Sequence, residues 1–226
     1  MLDVISLFRY PVKSLAGEAL DAADIGFHGI DGDRRFAFRR VEERGGKPWL
    51  TASKLAELVT FTPVVRDGEL VTVRAPDGRI LEVGDLDAEV THRHGHPVQL
   101  MRLAHGIFDE APISVIGSAT IDAIAAECGL ALDIRRFRPN LFVRTERPFE
   151  EDTWVGKRLA FADSEVELAV TMRDERCVMV NIDPDSAATD ARVFKAIVRM
   201  HGVDAGVYAT VTRPGRLGVG VTMSVR

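Results

Sequence analysis

Two cysteines in 226 residues, Cys128 and Cys177, leave no disulfide framework and no C-x2-C pair. That scarcity points to a reducing compartment and excludes an iron–sulfur centre carried by the chain itself. No G-x-G-x-x-G follows a strand pattern, and neither G-x-x-x-x-G-K-[ST] nor G-x-S-x-G occurs, so the common dinucleotide, P-loop and hydrolase signatures are missing. No apolar run is long enough for a membrane span, and Met1-Leu2-Asp3-Val4 has no basic leader character. The expectation is a cytoplasmic chain. Positive charge is also in the minority, 29 Lys and Arg against 34 Asp and Glu. A net charge of −5 argues against a general nucleic-acid binder and leaves local basic clusters to be explained otherwise.

What remains is a composition 46% hydrophobic and 28% charged, ample for one large domain or two small ones. Short strand patterns dominate. Val4–Phe8, Phe36–Phe38 and Trp49–Thr51 read as extended, and Ser53–Val59 supplies at most two helical turns. Phe61–Arg66, Leu70–Ala75 and Arg79–Val83, joined by Asp67-Gly68 and Asp77-Gly78, spell a three-stranded meander. Residues 84–97 read as polar and irregular. Further strands are expected at Val98–Leu103, Ile113–Ile116, Phe137–Val143, Leu159–Phe161, Val166–Met172, Val178–Ile182, Val207–Thr212 and Val219–Val225. The two clearest helices are Ser118–Cys128, with Ser118 as cap and Gly129 as left-handed stop, and Ala191–Met200. Many short strands with few helices indicate a mostly β protein, a β-barrel with a smaller N-terminal β-rich unit. The boundary falls at 90/91, giving units 1–90 and 91–226.

The chemistry concentrates around Cys177. Val166, Leu168, Val170 and Met172 alternate like a half-buried strand, and Arg173-Asp174-Glu175-Arg176 then breaks the pattern with four charges. Cys177 follows, at a corner between two expected strands, beside an arginine that favours the thiolate. The competing reading is a structural cysteine that happens to lie next to charges. Cys128, on the apolar face of its helix, is assigned no function. Three basic clusters stand out in this acidic chain: Lys13-Ser14, Arg34-Arg35 and Arg135-Arg136-Phe137-Arg138-Pro139-Asn140. Arginine forks match phosphate oxygens, although charges at strand ends also serve simply to discourage aggregation. His92, His94 and His96 alternate as metal ligands on a strand could, but Gly95 and Pro97 favour a surface loop.

Taken in order, Tyr10-Pro11-Val12-Lys13-Ser14, Gly32-Asp33-Arg34-Arg35-Phe36, Phe137-Arg138-Pro139-Asn140, Arg176-Cys177 and Asp183-Pro184-Asp185 resemble the MOSC family. The layout is most similar to the mitochondrial amidoxime-reducing component and its bacterial relatives. The resemblance implies a bound molybdenum cofactor (Mo-molybdopterin), with Cys177 as the protein's sulfur ligand to the metal. It implies that Lys13, Ser14, Arg34, Arg138 and Asn140 hold the pterin and its phosphate, and that Arg176 keeps Cys177 ionised. Ser118 would contribute from a strand-to-helix turn, where Gly117 replaces a polar residue. Val180-Asn181 stands where relatives often carry threonines. Asp183, with Asp174, is the nearest acid in sequence that could handle a proton.

The activity implied is reduction of small N-hydroxylated substrates such as amidoximes and hydroxylamines. The electrons would come from a separate protein: a ferredoxin, a flavoprotein reductase or a cytochrome b5-like carrier. No membrane anchor or appended ferredoxin domain is expected in this chain. The alternatives are a non-catalytic carrier of the cofactor, or of sulfur as a Cys177 persulfide, and an inert barrel that has lost the cofactor. The family's association with pyridoxal phosphate has no counterpart among these motifs.

Overall fold

The structure, a computed structural model, describes residues 2–66 and 68–226. Seven strands close into a barrel: β1 (Leu2–Arg9), β2 (Ile113–Gly117), β3 (Leu141–Val143), β4 (Arg158–Phe161), β5 (Glu167–Glu175), β6 (Asp204–Arg213) and β7 (Thr222–Val225). Around the barrel the order is β1-β3-β2-β6-β5-β4-β7, and β7 pairs back onto β1 through Leu2↔Met223. Only β2 and β3 of these run parallel, Val115 beside Leu141; the other six pairings are antiparallel. Alternation fills the interior. Leu168 faces Val211 and Val170 faces Ala209 across β5–β6, and these side chains join Val4, Leu7, Ile113, Leu141 and Leu159 in one core. Closure removes the exposed edges that short strands would otherwise present.

A second core lies in the N-terminal segment. The strand Phe36–Arg40 pairs with Val98–Arg102, and the expected meander forms from Thr62–Arg66, Glu69–Arg74 and Ile80–Glu82. Gly68 and Gly78 take the positive φ that its turns demand, +76° and +86°; Asp67 lies outside the described residues. Phe38, Leu58, Phe61, Val73, Leu86 and Val90 pack together here, and Ile182 joins them from far along the chain. β1, on the N-terminal side of residue 90, is a stave of the barrel rather than part of this core.

Three expectations are corrected. Residues 84–97 are not irregular: α1 (Leu86–His94) occupies most of them, burying Leu86 and Val90 one turn apart and ending on left-handed Gly95. Asp87 fastens α1 by accepting a hydrogen bond from the Leu100 amide at 2.6 Å. His92 and His94 therefore sit on the last helical turn rather than in a loop. Val178–Ile182 is not a strand but a 3-10 turn over Val178–Asn181. Its branched residues suit a strand, yet Asn181 is recruited to accept from the Phe194 amide (2.9 Å), at the start of α3 (Arg192–His201). Finally, α2 (Ser118–Cys128) is capped by Gly117 and not by the Ser118 side chain. α2 and α3 pack on each other through Ile121, Ile124, Val193 and Ile197, with Cys128 buried among them.

Candidate functional site

One large cleft, about 980 Å³, draws its walls from both halves of the chain. That volume is at the upper end for a small-molecule site. Lys13, Ser14, Arg34, Arg138, Arg176 and Cys177, all singled out from sequence, line it. Cys177 is an exposed, free thiol at that wall, whereas Cys128 is buried. Deep greasy packing around the Cys177 sulfur, the arrangement that would defeat a ligand role, is not what the fold provides.

Local backbone explains how these side chains converge. Among the described residues six non-glycine positions have positive φ, and three of them are Ser14 (71°), Arg34 (49°) and Arg138 (51°). Left-handed backbone costs an L-residue roughly 1–2 kcal/mol, and such strain gathers where side-chain direction matters more than local comfort. A buried hub holds these turns in place. Asp33 accepts from the Tyr10 amide (2.7 Å), from Asn140 Nδ2 (3.0 Å) and from Arg34 Nη1. Asn140 also donates to the Phe8 carbonyl and accepts from the Ser114 amide (3.1 Å) and Arg34. Arg34 in turn donates to the Arg138 carbonyl (3.0 Å), and Arg138 to the Leu15 carbonyl (2.7 Å). Both guanidinium groups lie over the Tyr10 ring, 4.9 and 4.2 Å from its centroid.

Asn140 is thus a fully buried residue that orients the arginines and does not itself line the cleft. Ser118 is outside the cleft too: its hydroxyl accepts from the Thr145 amide at 3.1 Å. The α2 N-terminus already has its anion. Completely buried Glu151 accepts from the Gly117 amide (3.1 Å) and the Thr120 hydroxyl (3.0 Å), and burial raises its carboxyl above the ordinary range. A Cβ at position 117 would lie 2.8 Å from the Glu151 carboxylate and 2.5 Å from the Thr145 hydroxyl, so the glycine makes room for this internal cap. Asp183 likewise stands apart, accepting from the Asp185 and Ser186 amides and pairing with Arg136 at 2.7 Å. Arg35 and Arg135 are spent elsewhere, on the Leu103 carbonyl and on Asp133 with Asp185.

The acid that does enter the cleft is Asp174. β5 bulges between Val170 and Met172, and opposite Arg173–Glu175 the extra residue lies in β6. Met172, which the period assigns to the barrel interior, is 43% exposed in the cleft, whereas Asp174, on the same period, is buried at 2%. Its carboxylate accepts from the Ser114 hydroxyl (2.8 Å) and the Tyr208 hydroxyl and pairs with Arg176 at 2.7 Å. Burial raises its pKa against the opposing pull of Arg176.

Arg176 also donates to the Ala205 carbonyl (2.6 Å) and the Phe137 carbonyl (2.7 Å). One guanidinium therefore ties the residue before Cys177 to the residue before Arg138. Gly206, at φ +90°, leaves it space: a Cβ there would lie 2.9 Å from Arg176 Nη2 and 2.7 Å from the Val115 carbonyl oxygen. Gly206→Ala is expected to cost at least about 2 kcal/mol and to dislodge Arg176. Thermal unfolding of the variant should register this as a lower midpoint.

Burial acts on the cations of this cleft. Lys13 donates to Asp109 (2.8 Å) and the Ile107 carbonyl, yet burial still pulls its pKa below the usual lysine value. Burial and the charge of neighbouring Arg34 push Arg138 down to about 10, and its buried Nη2 has no hydrogen-bond partner among the described residues. Asp109, Ser114 and Tyr208 were not identifiable as cleft residues in the sequence, because isolated Asp, Ser and Tyr carry no local signal; Asp174 stood out only as an acid close to Cys177.

A small closed barrel with an exposed thiol and a nest of buried cations lining one cleft is the class of protein that fold and site define. The chain matches the MOSC domain over residues 75–224 and the MOSC N-terminal beta barrel domain over residues 1–111. It belongs to the MOSC family. Mitochondrial amidoxime reducing component 2 of Bos taurus is 29% identical over 84 residues, covering 37% of this chain and 24% of that protein. Molybdenum cofactor sulfurase of Caenorhabditis briggsae is 24% identical over 86% of this chain and 31% of the relative. The matches thus span only a quarter to a third of these relatives' length. The crystal structure of the YuaD protein from Bacillus subtilis shares the fold, with TM-score 0.56, 17% identity, and coverage of 100% of this chain and 96% of that one. Among the described residues no helix is long and apolar enough to cross a membrane.

Proposed function

We propose that this chain is a molybdenum-cofactor-dependent reductase of N-hydroxylated compounds. The observation that carries the reading is the convergence of exposed Cys177 with Lys13, Ser14, Arg34 and Arg138 on one cleft wall. A soft thiolate suits molybdenum, and clustered cations suit a pterin phosphate. The residues fit that group: Arg138 Nη2 is buried without a partner, and the pKa values of Lys13 and Arg138 are depressed where an anion would restore them. When bound, the cofactor supplies oxygen-atom transfer at a redox-active metal. Cys177 would hold the metal, Lys13, Ser14, Arg34 and Arg138 the phosphate-bearing end, and Arg176 would position Cys177 through its three anchors. Asp174 takes the proton-handling role in preference to Asp183, because it lines the cleft.

The overall reaction cleaves the N–O bond of an amidoxime. Two electrons and two protons enter, and amidine and water leave. The electrons come from a separate carrier protein. Protein purified from a cofactor-competent host should contain about one molybdenum per chain and reduce benzamidoxime with a chemically reduced viologen as donor. Absence of the metal defeats the reading.

The match to a molybdenum cofactor sulfurase over most of the chain favours one second reading, a sulfur relay through a Cys177 persulfide. A persulfide on Cys177 by mass spectrometry, with metal bound but no turnover, would select it.

A further inference from the structure

The cleft carries more positive charge than the proposed cofactor site uses. Nine Lys and Arg line it against five Asp and Glu, in a chain whose overall balance is negative. Asp109 is committed to Lys13, Asp174 to Arg176, and Asp204 lies 3.5 Å from Arg173. On a separate element, the N-terminal segment 47–54, stand Lys47 and Lys54. Neither ammonium makes a hydrogen bond or an ion pair among the described residues. Glu43, the acid whose titration responds to Lys54, is already held by Arg40 (2.7 Å) and the Gly45 amide (2.9 Å). The same cleft is lined by the apolar side chains Trp49, Val155, Met172 and Met179. Val155 and Met172 are both more than a third exposed, so their apolar surface is open to a bound molecule.

We propose that the cleft selects N-hydroxylated substrates with an apolar or aromatic body and an additional anionic group, a carboxylate, read by Lys47 and Lys54. This rests on the reductase reading above and names its substrate class. The apolar side chains accept the body of the molecule. The two unpaired ammonium groups accept the carboxylate at little cost, since no existing ion pair must break. The reaction is unchanged: two electrons from the donor and two protons cleave the N–O bond, and the oxygen departs as water.

The test compares benzamidoxime bearing a para carboxylate with its para carboxamide counterpart, using the holoenzyme and a viologen donor at low ionic strength. The carboxylate should be preferred at least about fivefold in kcat/KM, and Lys47→Gln/Lys54→Gln should bring that ratio to about one. No preference, or an equal fall for both compounds in the double variant, overturns the proposal while leaving the reductase reading standing. A double variant slowed only when a protein donor replaces the viologen also overturns it, by assigning the lysines to an acidic electron carrier. Should neither compound be turned over, calorimetry with 4-carboxybenzamidine decides the anion site separately. Binding weakened about fivefold in the double variant supports it, and equal binding rejects it.

Discussion

Cys177→Ala is expected to lose bound molybdenum and to reduce benzamidoxime more than about 100-fold more slowly than wild type, with the fold intact. The size follows from general metal chemistry: removing a mere supporting partner of a metal ligand already costs 10–100-fold, so removing the ligand costs more. The intact fold follows from exposure, because the Cys177 thiol contributes little to any core. The measurement is elemental analysis beside a turnover assay, with a thermal midpoint for each protein. Full metal content and turnover without Cys177 would remove the foundation of the proposed function. Cys128→Ala is the internal contrast. Its sulfur is buried in the α2–α3 core, so stability should fall while metal content per folded chain holds.

Asp174→Ala should be the most damaging change to stability. Asp174 and Arg176 are a nearly dehydrated ion pair, and removing the carboxylate leaves the buried guanidinium without its counter-charge. Breaking such a pair from one side costs about 3–5 kcal/mol, a large part of the 5–15 kcal/mol typical of a folded chain. For a chain of this size that corresponds to a fall of roughly 6–20 °C in the thermal midpoint. Adding Arg176→Met should recover part of the loss, because the stranded charge goes with it.

The pH dependence has a defined sign. Burial places the folded-state pKa of Asp174 above the ordinary carboxylate value of about 3.9. Between those two values the folded chain retains a proton that the unfolded chain has released. The contribution of this group to stability therefore declines as pH rises through that window. Asp174→Asn should abolish that decline, which urea unfolding at a series of pH values would register as a more positive slope than wild type. An identical slope would mean that Arg176 balances burial, and a less positive slope that it outweighs burial.

The legible part of this protein was its local chemistry. Alternation at Leu168 and Val170, the meander turns at Gly68 and Gly78 and the stop at Gly129 all depend on neighbours in sequence, and each is present in the structure. The cleft cations were legible as well, since Lys13, Arg34 and Arg138 stand out in an acidic chain. The errors share a cause. α1 was hidden because its apolar face needs only Leu86 and Val90, with a core it reaches through tertiary packing. The 3-10 turn after Cys177 won over the strand propensity of Val178, Val180 and Ile182 because Asn181 is needed at α3.

Sequence alone settled the barrel class and the presence of one cysteine among charges, because periodicity, composition and turn chemistry act over a few residues. Tertiary structure decided which charged groups face the cleft. Ser114 and Arg176 hold Asp174 at its wall, and closure of the barrel put Arg34 and Asn140, 106 residues apart, within hydrogen-bond reach. Glu151 closed the α2 N-terminus from 31 residues beyond Thr120. Burial and pairing depend on which distant segments meet, and no short window of sequence contains that information.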